Sequence, residues 1–421
     1  MKEIRRLCSA LRSPLDNQRG TVIVLVGVGM FIFLGVAALA VDLGYLYVVR
    51  NELQNAADAG ALACARVLYN DAGTLVNEGA NQVAYEAATA NWSANDPVEV
   101  NWTSGNTSDI ERGHWRFATR TFTPNASTAP VDLWNVSWDE LDADVNFINA
   151  IRVVARRDAN PVGLFFARIF GQQDARLSAT AVAYIGFAGT LTPFDVDQPI
   201  AICRQAILDP NGDYTCGVGR MINSGSNIGH QTGGWTNFTQ DPCDTASVPT
   251  VRPLICGEGN PEPIKLGDPT GTTGGELQTA FDQMIDCWRT HADTDHDGIP
   301  DQPWQMTLPV IDCPGNNVGP CSTPTGAVTV NIVWITRTDK NQMKEVPTRM
   351  GNWTCPSGNT PQQCWDSFVD NFHLKDVLNN SPATYEDKTI YFLPDCTPHE
   401  PAGTSGGENY GILAEIPVLV R

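Results

Sequence analysis

Residues 21–41 read TVIVLVGVGMFIFLGVAALAV, an uncharged run with no interruption. A helix crosses the hydrocarbon core of a bilayer with about 20 predominantly apolar residues. The run therefore predicts one membrane-spanning helix. Lys2, Arg5, Arg6, Arg12 and Arg19 precede it against Glu3 and Asp16, which leaves a lead of +3 and a remainder of −23. Basic flanks stay on the cytoplasmic side. Residues 1–20 are thus expected to form a cytoplasmic basic leader, with the remainder exported to the periplasm or cell surface. No second run of comparable length follows, so the expected topology is single-pass. A cleaved signal peptide is the alternative, with Ala38-Leu39-Ala40 as a small-x-small cut site. The long leader, the length of the apolar run and the helical sequence beyond it weigh against cleavage.

Residues 42–66 continue the helix as DLGYLYVVRNELQNAADAGALACAR, without proline. Leu46, Val49, Leu53 and Ala57 recur at three- and four-residue steps, a helical period. The alanine-rich end permits close helix packing. One helix over 21–69 would be about 74 Å long at about 1.5 Å per residue. Tyr45 and Tyr47 fall where an interfacial aromatic belt belongs.

Arg19-Gly20, the apolar span, the stretch Val41-Asp42-Leu43-Gly44-Tyr45-Leu46-Tyr47, Arg50, the stretch Leu53-Gln54-Asn55-Ala56-Ala57-Asp58-Ala59 and Ala61-Leu62-Ala63 together resemble the N-terminal segment of TadE/TadG-like Flp (tight adherence) pilus-assembly proteins. The resemblance covers about fifty residues. It implies a bacterial inner-membrane protein whose N-terminal helix behaves like that of a type IV pilin. It also implies partners in the lipid bilayer and in other pilus-assembly or pilin-like subunits. Two departures from the family stand out. Gly20 occupies the pilin-type cut site, yet the fifth residue after it is Leu25 in place of glutamate. The D-x-S-x-S metal signature of a von Willebrand A domain, found in many TadG-like chains, does not occur.

Residues 70–190 are expected to form an α+β stalk, a pilin-like domain with the long helix on an antiparallel sheet. A helix is predicted over 81–92, and strands over 98–102, 114–122, 147–157 and 175–185. A second short helix is predicted to start at Pro161 and run to 170, because proline suits a first helical turn. The strand, F-F-x-R-I-F-G and S-A-x-A-V sequence here is similar to TadG-like chains. Trp134 and Trp138 are expected to be core or interface anchors.

Ten of the twelve cysteines lie from Cys203 to Cys396. An even set in an exported segment predicts up to five disulfides, in a β-rich domain spanning 191–421. Connectivity stays open, and the short loops Cys203/Cys216 and Cys355/Cys364 are the natural candidates. No C-x-x-C pair supports a zinc site. Cys64 reads as a small apolar packer. Amphipathic helices are predicted within 275–291 and around Trp365, Phe368, Val369 and Phe372. Strands are predicted over 327–337, 389–393 and 412–420.

The strongest chemical motif is 293–301, DTDHDGIPD. Asp293, Asp295, Asp297 and Asp301 occupy positions 1, 3, 5 and 9 of a loop with Gly298 at position 6, and Ile299 can offer its carbonyl. Such a set can converge on calcium, which takes oxygen ligands. Position 12 is Trp304 and no helix follows, so this is not a full EF-hand. It resembles the D-x-D-x-D-G-x-x-D loops of thrombospondin type 3 and dockerin-like modules. A solvated acidic turn is the plainer reading. At 209–213, DPNGD is a weaker echo, best read as a turn.

With Lys+Arg 27 against Asp+Glu 47, the formal charge is −20. That charge repels phosphate backbones and excludes nucleic acid as a natural partner. The 42% hydrophobic content excludes wholesale disorder. No H-E-x-x-H, Walker loop, G-x-S-x-G or dinucleotide fingerprint occurs, so an enzyme is not expected. The expected function is that of a membrane-anchored accessory or minor pilin-like subunit. A calcium-braced surface adhesin and a cryptic metal-dependent hydrolase are the alternatives.

Overall fold

The computed structural model describes residues 19–70, 73–130, 143–209, 214–223, 232–274, 277–336, 346–376, 380–397, 399–404, 407, 410 and 414–420. Residues 1–18 of the leader with Cys8, Trp134, Trp138 and most of 209–213 lie outside them. The first element, α1 (Arg19–Arg66), is a single helix of 48 residues, about 72 Å long at about 1.5 Å per residue. Every large apolar side chain from Val22 to Val41 is more than half exposed. From Val49 onward one face closes, and Val49, Leu53, Ala56, Ala57, Ala61, Cys64 and Ala65 are fully buried. Their three- and four-residue spacing makes this face one stripe. The short helix α2 (Ala80–Thr89) packs on it. Gly60 marks the closest approach: a Cβ there would lie 2.9 Å from the Ala84 carbonyl oxygen and 3.0 Å from the Ala88 Cβ.

Four strands build a sheet beneath α1: β1 (Ile110–Arg116), β2 (Thr121–Pro124), β3 (Ala150–Gly163) and β4 (Asp174–Phe187). All pairings are antiparallel, with β3 between β4 and β1 and with β2 outside β1. Alternate residues of β3, namely Ile151, Val153 and Ala155, meet Ala179, Ala181 and Ala183 of β4 and the buried stripe of α1 in one core. The small alanines on both surfaces let helix and sheet approach closely.

Three sequence expectations change here. The strand expected over 114–122 is a hairpin, with a turn at 117–120 where Arg120 has φ +52°. The strand expected over 98–102 reduces to one bridge between Glu99 and Arg156. The Glu99 carboxylate instead accepts from the backbone N–H groups of Asp158, Ala159 and Asn160 at 3.0, 2.7 and 2.7 Å. The helix expected from Pro161 does not form. Pro161 lies inside β3, at the register break between Arg157 and Val162, where the missing N–H forfeits no ladder bond. Only Ala167–Phe170 coils, as one 3₁₀ turn closed by Gly171 at φ +89°.

The second sheet is larger. Its strands are β5 (Ile200–Cys203), β6 (Arg220–Asn223), β7 (Gly233–Thr236), β8 (Thr270–Thr273), β9 (Trp304–Ile311), β10 (Cys321–Ser322), β11 (Pro324–Ile335) and β12 (Thr389–Pro394). Their order is β10-β8-β7-β5-β9-β11-β12-β6, and only β5 and β9 run parallel. Helices α3 (Gln278–Ala292) and α4 (Pro361–Asn371) bury Phe281, Met284, Ile285, Trp288, Trp365 and Phe368 in the core of this sheet. Thr360 caps α4 through the Gln363 N–H, and Gln363 returns the bond to the Thr360 N–H. Trp334 of β11 stands at the centre, its ring centroid 5.5 Å from Trp365 and 5.8 Å from Tyr391.

Five disulfides cross this region: Cys203–Cys313, Cys216–Cys396, Cys243–Cys321, Cys256–Cys287 and Cys355–Cys364. All ten cysteines from Cys203 to Cys396 are used. Cys355/Cys364 pairs as loop length suggests, whereas Cys203/Cys216 does not. The β5–β9 ladder sets Cys203 opposite Ile311, within reach of Cys313, and sheet register outweighs loop length. Cys64 is the free, buried cysteine among the described residues.

The last strand, β13 (Glu415–Val420), leaves the disulfide-linked region and pairs antiparallel with β4 from Phe187 to Val182. The first sheet thus reads β13-β4-β3-β1-β2.

Candidate functional site

Three places carry groups whose arrangement exceeds the needs of packing. The first is where α1 leaves its exposed apolar stretch. Asp42, the first charge after the run, is 2% exposed. Its Oδ1 accepts from the Phe165 N–H at 2.8 Å, and its Oδ2 accepts from Phe166 at 2.9 Å and Ala167 at 2.6 Å. One carboxylate therefore satisfies the free N–H groups of the β3–β4 turn and ties that turn to the helix. The Tyr45 ring lies edge-on to Phe165, with centroids 5.2 Å apart. The uncapped amides of a turn attract a carboxylate, and charge-assisted bonds of this kind are the stronger ones. Sequence reading assigned Asp42 only to the family-like stretch. Its place as the first charge after a long apolar run was the available signal.

The second place is the acidic loop after α3. Carboxylate oxygens of Asp293, Asp295 and Asp297 lie within 4.8 Å of one another. Gly298 turns the chain with φ +88° and His296 with φ +60°. Asp293 accepts from the backbone N–H of Asp297 at 3.1 Å and of Gly298 at 2.8 Å. Asp301 stands apart from the three. It accepts from the Thr294 N–H at 2.7 Å and from the Thr294 hydroxyl at 3.0 Å. Those bonds, the backbone one foremost, hold its carboxyl below the usual range. Ile299 donates its N–H to Asp297 at 2.9 Å, and its side chain is 42% exposed. The loop also has a cation of its own, because Arg349 reaches both Asp295 and Asp297 at 2.8 Å. No sequence signal pointed to Arg349, which is remote along the chain.

The third place is a cleft of about 430 Å³ lined by Arg66, Tyr69, Asn77, His399, Glu400 and Glu415 among others. Arg66 at the end of α1 pairs with Glu400. His399 contacts Asp195 at 3.1 Å. Oε1 of Glu415 is closed off from solvent and has no hydrogen-bond partner, although the residue as a whole is half-buried. Burial pushes its carboxyl up to about 8, with nearby Glu400 adding to the effect. A lone acid within the apolar stretch 412–420 was the sequence signal for it.

None of these places assembles a nucleophile, a base and an orienting group. Asp42 is consumed by the turn it ties, the acidic loop meets an arginine, and the cleft pairs Arg66 with Glu400.

Comparison with known families gives two adjoining matches. Residues 20–67 match the family described as Flp pilus-assembly TadE/G-like, and residues 63–183 match the one described as Tad-like Flp pilus-assembly. Together they cover α1, α2 and most of the first sheet, and they stop short of the disulfide-linked region. No curated protein and no solved structure matches the chain.

Proposed function

The chain belongs, through residues 20–183, to the TadE/TadG-like Flp pilus-assembly family, and from that premise we propose that it is a membrane-anchored accessory or minor pilin-like subunit of the pilus machinery. The observation that carries this is the two-part character of α1. Its first half is an apolar cylinder that no other described residue covers, and its second half is buried against α2, β3, β4 and β13. In this reading residues 21–41 span the inner membrane, with 1–20 cytoplasmic. The rest is exported, where ten paired cysteines are in keeping with an oxidising compartment. The subunit works by anchoring and by packing, and the surfaces around its helix meet other pilus-assembly or pilin-like subunits.

Intact mass and N-terminal sequence of the native protein test this reading, in both the inner-membrane fraction and sheared surface material. An uncut chain in the inner membrane alone identifies a tethered assembly factor. A chain beginning at Thr21 in sheared material identifies a processed subunit. A chain beginning at Val41 makes it a secreted protein and refutes the proposal.

The acidic loop gives a second reading, in which calcium braces the exported region structurally. Three converging carboxylates in a glycine turn suit calcium's preference for oxygen. Asp293, Asp295 and Asp297 would hold the ion, with Ile299 and Asp301 as the further expected ligands. Arg349 competes as the resident counter-charge. Arg349→Ala should therefore tighten calcium binding by roughly tenfold, about 1.4 kcal/mol, in isothermal titration of the whole protein. Unchanged heats with and without calcium in both proteins would remove the ion from the account and favour the plain acidic turn.

A further inference from the structure

The β3–β4 turn, residues 164–171, reads LFFARIFG. Phe165 is 61% exposed, Phe166 40%, Ile169 78% and Phe170 76%. Four large apolar side chains thus stand in the open on one hairpin tip, and none belongs to the core of the first sheet. Their backbone has only one fixed depth. Three consecutive N–H groups are held by Asp42, and Asp42 directly follows Val41, the last residue of the apolar run. The tip is therefore clamped level with the point where α1 passes from its exposed apolar half to its packed half. Tyr45, one turn further on, touches Phe165.

We propose that this tip is a second membrane contact, in which Phe165, Phe166, Ile169 and Phe170 enter the headgroup–acyl boundary of the leaflet from which α1 emerges. The proposal rests on residues 21–41 spanning the bilayer. Continuity argues for lipid as the occupant, since the tip adjoins an apolar cylinder already exposed on every side. Aromatic rings favour this interfacial depth, where apolar bodies meet polar headgroups. Arg168 sits among the four and is itself exposed. A long arginine can lay its stem on apolar surface and extend its guanidinium to a phosphate. The clamp also explains how a carboxylate can sit at this level: three N–H groups replace the water it would lose. Two contacts fix an orientation that one helix cannot. A lone helix leaves the exported sheet free to rotate about the helix axis, whereas a helix plus a seated tip fixes which face it turns to its neighbours.

The test uses the full chain, with Cys8 replaced by serine, in vesicles of phosphatidylethanolamine and phosphatidylglycerol. Nitroxide labels are placed singly at Ile169→Cys, at Leu25→Cys in the span and at Ser127→Cys as an exposed reference. Power saturation compares collisions with lipid-soluble oxygen and with an aqueous nickel chelate. The expected result is that oxygen dominates at 25 and 169 while nickel dominates at 127. Oxygen at 25 with nickel at 169 would overturn the proposal and leave the span standing. A label at 169 shielded from both reagents would mean that a protein neighbour covers the tip, which also overturns it. Nickel dominance at 25 would sink the membrane reading and this proposal together. The side chain replaced at 169 is largely exposed, so the label does not disturb packing.

Discussion

At the scale of single residues, Asp42 shows how one side chain can set a distance between elements. Removing its carboxylate leaves three part-buried N–H groups of residues 165–167 without their acceptor. Unmade bonds of this kind cost about 1–3 kcal/mol. In Asp42→Ala, hydrogen exchange of these three amides should accelerate roughly tenfold to a hundredfold, while amides in the centre of β3 keep their rates. Glu415 is the opposite case, an acid held where its charge is unwelcome. Its carboxyl titrates near 8 in the folded chain instead of at the ordinary 4.5. Between those values the folded state keeps a proton that the unfolded state has released, so stability falls as pH rises through this window and is level below it. Glu415→Gln should flatten that slope. At about pH 8 it should strengthen the β13–β4 pairing by about 2–4 kcal/mol, read as slower exchange of β13 amides, with no gain at about pH 4.

At the scale of elements, the packed half of α1 depends on smallness. Gly60 faces the Ala84 carbonyl oxygen at 2.9 Å from an added Cβ, and Val153 at 3.3 Å. Alanine there gains about 1 kcal/mol of helix propensity, but its Cβ would press on the Ala84 backbone and push α2 away, so Gly60→Ala should be mildly destabilising. Gly60→Val cannot fit without moving α2, and overpacking of this kind costs about 1–3 kcal/mol. Thermal unfolding in detergent should separate the two variants. The second sheet uses glycine in the same spirit. A Cβ on Gly271 would lie 2.0 Å from the Asp244 carbonyl oxygen, and one on Gly233 would lie 2.7 Å from that of Ala201. The short strands β7 (GGWT) and β8 (TGTT) therefore lack the apolar alternation that marks a strand in sequence. They went unseen while β11 and β12, rich in β-branched and aromatic residues, were legible.

At the scale of the whole molecule, β13 is the strand that closes the chain on itself. It follows the disulfide-linked region yet completes the first sheet beside β4. A chain ending at residue 414 would leave β4 as a bare edge with unpaired N–H and carbonyl groups. Limited proteolysis of such a truncation should cut within β3–β4 while the five disulfides still protect residues 200–396. Equal protease resistance of the first sheet in both chains would show that β13 is dispensable. The disulfides span separations from 9 to 180 residues, and closing loops of about 100 residues restricts the unfolded chain by about 4–5 kcal/mol each in the chain-entropy view.

The sequence by itself determined the long helix, its apolar first half, the likeness to the Tad-like Flp pilus-assembly families, and the pairing of the ten cysteines from Cys203 to Cys396. These are properties of local period, run length and composition, which a chain carries wherever it folds. The acidic turn was legible as a cluster for the same reason. Only the tertiary structure decided that Cys203 meets Cys313, that Arg349 stands over Asp295 and Asp297, that Asp42 binds a turn more than a hundred residues away, and that β13 returns to the first sheet. Each of these depends on register between strands or on distant segments meeting, and neither the period nor the composition of either segment records which partner it will find.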